Sequence, residues 1–269
     1  MNTYIVWDQH ENIVIRDISS KIYERICEFM VEEYFKPNRR FNMLKFQEEK
    51  GINEQYKAHV MHILRNECSI IAIDEKTNTI YAVALLKWMT KEWRSWINML
   101  EILNSPKLQE LNIFFYDMII NYSREFPKHD FDSMHIFQYH ILEEQQNDEV
   151  FMWKFFNAIN QVGRHMKMPR ITYIATSKRK QRHLDNADYK RLSEIIYAMY
   201  VGRHQQRPYA VLRDANETSV IYYEKKLEPL IPYYEMPPLE PEPVKPVVSV
   251  NFEPEKAITD TKKKSSALM

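Results

Sequence analysis

Glycine is nearly missing from this chain: three in 269 residues, at Gly51, Gly163 and Gly202, where ordinary usage is roughly 7%. That scarcity excludes any loop built on a run of glycines, because such loops rely on positive φ angles and on the missing β-carbon. Cysteine is almost as rare. Cys27 and Cys68 form no CxxC pair and lie in apolar stretches, which excludes a disulfide framework and points to reduced, buried thiols in a cytoplasmic setting. No uncharged apolar run approaches the ~18 residues that cross a bilayer; the best candidates, residues 81–86 and 195–201, are strand-length. Excess charge is absent too, since 37 Lys and Arg balance 37 Asp and Glu. No global field then favours nucleic acid or an anionic membrane, and neither is expected as a partner.

What is present is an ordinary core composition, 45% hydrophobic and 13% aromatic, enough for one domain. The expected division is a folded domain over residues 1–227 and a Pro/Glu-rich tail over 228–269. The tail holds eight of the 13 prolines and too little apolar surface to offset chain entropy, so disorder is expected over residues 237–269. Its closing run Lys262-Lys263-Lys264 reads as a solubilising tail rather than a nuclear signal. The tail could also serve as a peptide ligand for another domain, although it lacks a clean PxxP with a flanking arginine.

Within the domain, hydrophobic periodicity alternates between two and 3.6. Residues 13–18 alternate as a strand, and Ser20 offers a cap to a helix carrying Ile22, Ile26, Phe29 and Met30. Asn53 is the expected cap of a second helix with Tyr56, Val60, Ile63 and Leu64. Residues 69–89 read as a hairpin turning at 74–79. Ser105-Pro106 opens a central helix, residues 133–142 alternate as a strand, Asp148 starts a helix, and residues 171–175 form a short strand. Two later segments, 192–200 and 219–227, are rich in β-branched and aromatic residues. The expected fold class is α/β (α+β): a mixed central sheet with helices on both faces.

That element order resembles the GNAT superfamily of acyl-CoA N-acyltransferases, and its texture is most similar to the insect arylalkylamine N-acetyltransferase group. The resemblance rests on Ile13-Val14-Ile15-Arg16, on the Phe-rich segment 29–35, on the hairpin 69–89 with Asp74, Thr77 and Ile80, and on Ala175-Thr176-Ser177. It implies a GNAT-like fold and, if the protein is active, acetyl-CoA as cofactor and a small amine as substrate. In the superfamily a loop of the form Arg/Gln-x-x-Gly-x-Gly/Ala opens a helix, and its backbone N–H groups meet the pyrophosphate. Here that stretch is Glu143-Glu144-Gln145-Gln146-Asn147-Asp148-Glu149-Val150, with Asp148 and Val150 in place of the glycines. Up to four carboxylates then surround a site meant for a polyanion, each close pair costing on the order of 1 kcal/mol.

The catalytic pattern departs as well. The insect group places an acidic general base where Arg39 falls, and a guanidinium cannot take a proton at neutral pH. Of the group's serine pair, Ser177 is retained as the catalytic candidate and the second position is Lys180; Ala187-Asp188-Tyr189 replaces a Leu-Gly-Phe. The backbone donors of Ile141 and Leu142 are the remaining cofactor-binding candidates, placed to polarise a thioester carbonyl. The leading expectation is a degenerate N-acetyltransferase-like protein with impaired acetyl-CoA binding that acts through a protein partner. The alternative is an active N-acyltransferase acetylating a small (aryl)alkylamine.

Other clusters carry less. His59 and His62 share a helical face with only Glu67 as a local candidate for a third ligand, which fits an exposed helix face better than a metal site. His135 and His140 fall on opposite strand faces by parity, and no metal is expected. The run 178–182, Lys-Arg-Lys-Gln-Arg, reads as a solvated helix start. Trp88, Trp93 and Trp96 with Tyr81 offer an aromatic amine pocket or ordinary core; exposed tryptophan would point instead to a protein contact.

Overall fold

In the computed structural model the described residues are 4–89, 94–125, 132–202, 206–212 and 217–228. The expected tail, and Trp93 with it, lie outside them. A hairpin of β1 (Val6–His10) and β2 (Ile13–Asp17) leads into α1 (Tyr23–Phe29), which runs on as a wider turn over Met30–Phe35; α2 (Arg39–Met43) and α3 (Ile52–Leu64) follow. Next come the hairpin β3 (Ile70–Asp74) and β4 (Thr79–Met89), then α4 (Arg94–Glu101) and α5 (Pro106–Glu125). The last part runs β5 (Ser133–Ile141), α6 (Glu149–His165), β6 (Arg170–Ala175), α7 (Lys178–Asn186), β7 (Lys190–Ile196) and β8 (Ser219–Lys226).

The strands form one eight-stranded sheet in the order β1-β2-β3-β4-β5-β6-β8-β7. Every pairing is antiparallel except β5 with β6, where α6 supplies the crossover that parallel neighbours require. One face is covered by α6 through Phe151, Phe155, Phe156 and Ile159. The other carries α1 and α3 through Ile26, Met30, Tyr56, Val60 and Ile63. A third cluster joins Phe114 and Met118 of α5 to Tyr197, Tyr209 and Tyr222. This is the mixed sheet, helices on both faces, that the periodicity implies.

Differences from expectation have local causes. β1 escapes the alternation test because it is an edge strand that is largely exposed. Ser19 rather than Ser20 accepts the capping bond, from the amide of Lys21. Asn53 caps nothing: Gly51, at φ 76°, occupies the position before α3, a left-handed turn that glycine enters without strain. Gly163 answers a packing need, since a β-carbon there would stand 2.5 Å from Ile171 Cδ1 and 2.6 Å from Leu227 Cδ1.

Candidate functional site

β5 and β6 pair only over Met134–Ile171, His135–Thr172 and Ile136–Tyr173, and then part. An extra residue is inserted in β5 at the same level: Leu86 faces Ile136 and Leu85 faces Gln138, so Phe137 bulges. A bulge shifts side-chain parity by one. His135, beside Phe137, and His140, against Phe29 and Tyr34, therefore lie on the same side of the sheet, under α1 and α3, which corrects the simple parity reading.

Past the bulge the β5 backbone alternates between its neighbours. The Leu142 amide donates to the Tyr81 carbonyl at 2.8 Å on β4. The carbonyls of Tyr139 and Ile141 turn the other way, accepting from Lys180 Nζ at 3.1 Å and from Gln146 Nε2 at 2.5 Å. The same alternation turns the Ile141 N–H into the gap between the strands. A cavity of about 1240 Å³ opens from this gap. Ile141, Leu142 and Ser177 border it, together with Arg39, Arg40, Lys178, Arg179, Lys180, Arg182 and Arg191 on the basic side and Glu33, Glu143, Asp185 and Glu217 on the acidic side.

The α7 N-terminus borders this cleft, and the loop ahead of α6 reaches it through Glu143 and Gln146. At α6, Asp148 is the cap: its carboxylate accepts from the Phe151 amide at 2.9 Å and meets His10 Nε2 on β1 at 2.8 Å. Its pKa is held below the ordinary carboxylate value, first by that amide and then by His10. Asp148 and Val150 do not border the cleft, and of the four carboxylates in the loop only Glu143 does; a tight turn over Glu143–Gln145 and the cap facing β1 direct the others elsewhere. At α7, Ser177 is the cap, accepting from the Lys180 amide at 3.4 Å. Lys178, Arg179 and Arg182 are exposed there, as a solvated helix start would have them, but Lys180 is drawn inward.

Lys180 Nζ stands 4.6 Å from the ring centroid of Tyr34, 4.7 Å from that of Tyr139 and 5.6 Å from that of Tyr173. Burial lowers its pKa, against the opposing pull of Tyr34. Burial also raises the Tyr34 phenol, but the Lys180 and Arg40 cations outweigh it and leave Tyr34 below its ordinary value. Arg40, not Arg39, is the buried guanidinium of α2. It donates to the Thr176 carbonyl at 2.9 Å and to the Tyr197 hydroxyl at 3.3 Å, and faces Glu217 at 3.1 Å. His140 and His183 border the cleft with pKa values lowered to about 4, mainly by burial and then by Lys180. They are neutral at pH 7, so the cations of the cleft are its lysines and arginines.

Behind Tyr34 and Arg40 lies a second cavity, of about 50 Å³, bordered by Tyr56, His59, Asn112, His135, Gln138 and Tyr173 among others. His59 is buried, 5% exposed, where an exposed helix face had been expected; burial lowers its pKa to about 3. His62 instead meets Lys87 Nζ at 3.1 Å. Among the described residues no group of three or more His, Cys, Asp or Glu could hold a metal, and no helix is long and apolar enough to cross a membrane. Trp88 is 49% exposed, and neither it nor Tyr81 borders either cavity.

The fold that carries this cleft has counterparts among solved structures. No family model matches the chain, and no curated protein matches its sequence. Among solved structures, arylalkylamine N-acetyltransferase 2 from Aedes aegypti superposes with a TM-score of 0.67 at 16% identity, covering 81% of this chain and 100% of that one. The chain has the GNAT N-acetyltransferase fold. Putative arylalkylamine N-acetyltransferase 7 from Aedes aegypti gives a TM-score of 0.66 at 14% identity over 84% of this chain and 97% of its own. The Drosophila melanogaster polyamine N-acetyltransferase gives 0.63 at 15% identity over 80% and 100%. Lys180, with its three rings, is the site feature that sequence reading missed; Tyr34, Tyr139 and Tyr173 are far apart in the chain and leave no local signal.

Proposed function

We propose that this protein is a degenerate N-acetyltransferase-like member of the GNAT fold, impaired in acetyl-CoA binding and acting through protein contacts from a cytoplasmic location. The acyltransferase-like domain spans residues 1–227 and the tail 228–269. The observation that carries the reading is the α6 N-terminus. A phosphate there needs free N–H groups and open backbone, whereas the Asp148 carboxylate already takes the Phe151 amide and no glycine lies between Gly51 and Gly163. The acceptor side agrees with it. An engineered cavity that binds benzene measures ~150 Å³, and the space behind Tyr34 and Arg40 is about 50 Å³. An arylalkylamine ring would have to displace its walls. Exposed Trp153 and Val150, one turn apart on α6 at 64% and 55% exposure, support a protein partner.

The alternative, an active N-acyltransferase with Ser177 as a catalytic group and the Ile141 amide polarising a thioester, the Leu142 amide being taken by the Tyr81 carbonyl, is favoured only by the basic cleft. Release of thiol from acetyl-CoA, followed with arylalkylamines and polyamines as acceptors, decides between the two. The degenerate reading expects no amine-dependent release; turnover with any of these amines overturns it.

A further inference from the structure

The innermost group of the cleft is an amine that belongs to the protein itself. Lys180 Nζ lies where β5 and β6 part, held by the Tyr139 carbonyl and surrounded by three tyrosine rings from the turn after α1, from β5 and from β6. Cations are held well by such rings, yet the same burial weakens the ammonium form, and a desolvated lysine is the usual way a protein makes an amine nucleophilic. The Ile141 N–H, turned into the same gap, is a donor for an oxyanion next to that amine. The cavity of about 1240 Å³ gives a reagent of thioester size a path from solvent.

We propose that Lys180 is a self-acylation site, its ε-amine accepting the acyl group of a thioester that enters the cleft. In the step, the neutral amine attacks the thioester carbonyl, a nitrogen–carbon bond forms and the carbon–sulfur bond breaks. The thiolate departs, and the proton lost from nitrogen passes through solvent in the cleft to the departing sulfur. The products are an Nε-acyl-lysine and a free thiol, so the event occurs once per chain. The proposal rests on reading the gap between β5 and β6 as an acyl-transfer site; it does not depend on the phosphate end of the cleft.

The test incubates the full chain with S-acetyl-N-acetylcysteamine, a thioester without phosphates, and in parallel with acetyl-CoA, and maps acetylation by peptide mass spectrometry. Lys180 is expected to react severalfold faster than exposed Lys76 and Lys190, because its amine sits beside the Ile141 N–H in the cleft rather than in open solvent. The Lys180→Arg variant keeps the cation and should lose the fast site alone. The preference should vanish when the chain is unfolded in urea. Reaction at Lys180 no faster than at surface lysines, or equally fast in urea, overturns the proposal and leaves the degenerate reading standing. Fast reaction with the small thioester but not with acetyl-CoA supports both. Fast reaction with acetyl-CoA, saturating at micromolar concentration, supports Lys180 and overturns the degenerate reading.

Discussion

The N-termini of α6 and α7 are built on opposite principles. α6 starts with an aspartate cap and an acidic first turn at Glu149, both of which complement the positive end of the helix dipole, and the cap also meets His10 Nε2 on β1. α7 starts with a serine cap followed by Lys178, Arg179 and Lys180, with no acid in its first turn. Cations at that end work against the dipole by about 0.3–1 kcal/mol apiece, so they need other partners. Arg179 finds Gln146 at 2.7 Å, and Lys180 finds a carbonyl and three rings. The α6 start is thus stabilised by its own cap, while the α7 start carries cations that line a basic cleft.

The comparison predicts a graded series. The largest effect belongs to the α7 side, where Arg40 ties α2 to the carbonyl just before the Ser177 cap. Arg40→Met removes the guanidinium that meets Thr176, Tyr197 and Glu217 and should cost about 3–5 kcal/mol, the range for breaking a buried pair, read by urea unfolding. A loss below 1 kcal/mol would mean that α7 is held elsewhere.

Acid should act next, from the interior beneath the gap. His59 and His135 are buried and their folded pKa values are about 3, against about 6.5 when unfolded. The unfolded chain therefore takes up protons first. This contribution to stability is complete above about pH 6.5 and is lost as pH falls towards 3, by roughly 2 kcal/mol per histidine at pH 5. Unfolding midpoints at pH 7 and pH 5 measure it, and His59→Leu should remove the His59 share while leaving those of His135, His140 and His183. A flat profile between those values would contradict the burial assigned to both rings.

Smaller still is the α6 cap. Asp148→Ala removes the bond to the Phe151 amide and the contact with His10, and should cost about 1–2 kcal/mol. Asp148→Asn, which keeps the capping acceptor, should recover most of it. Equal losses in the two variants would shift the weight from the cap to the contact with His10.

Much of the scaffold is legible in the sequence because its signals are local. The hairpin of β3 and β4 is marked by alternation on either side of a polar turn in which the Asp74 carboxylate accepts from the Lys76 and Thr77 amides. Ser105 and Asp148 both cap helices, at the Leu108 and Phe151 amides. What escapes reading is whatever depends on a neighbour. The Phe137 bulge is defined only against β4 and reverses the face assigned to His140. The exposed edge strand β1 lacks an apolar stripe. The site itself is the extreme case: the run 178–182 reads as one solvated charge block, yet the structure removes Lys180 from it and places its amine among three aromatic side chains brought together by the sheet.

The central claim, that the phosphate end of the cleft is no longer a binding site, is tested most directly by thermal unfolding of the full chain in the presence of CoA, which carries the phosphates but cannot acylate Lys180. A ligand at about a thousand times its dissociation constant stabilises by ~4 kcal/mol, enough to raise the midpoint by several degrees. The account predicts no shift at millimolar CoA. A rise of several degrees would contradict it and return the protein to the ranks of CoA-binding acyltransferases.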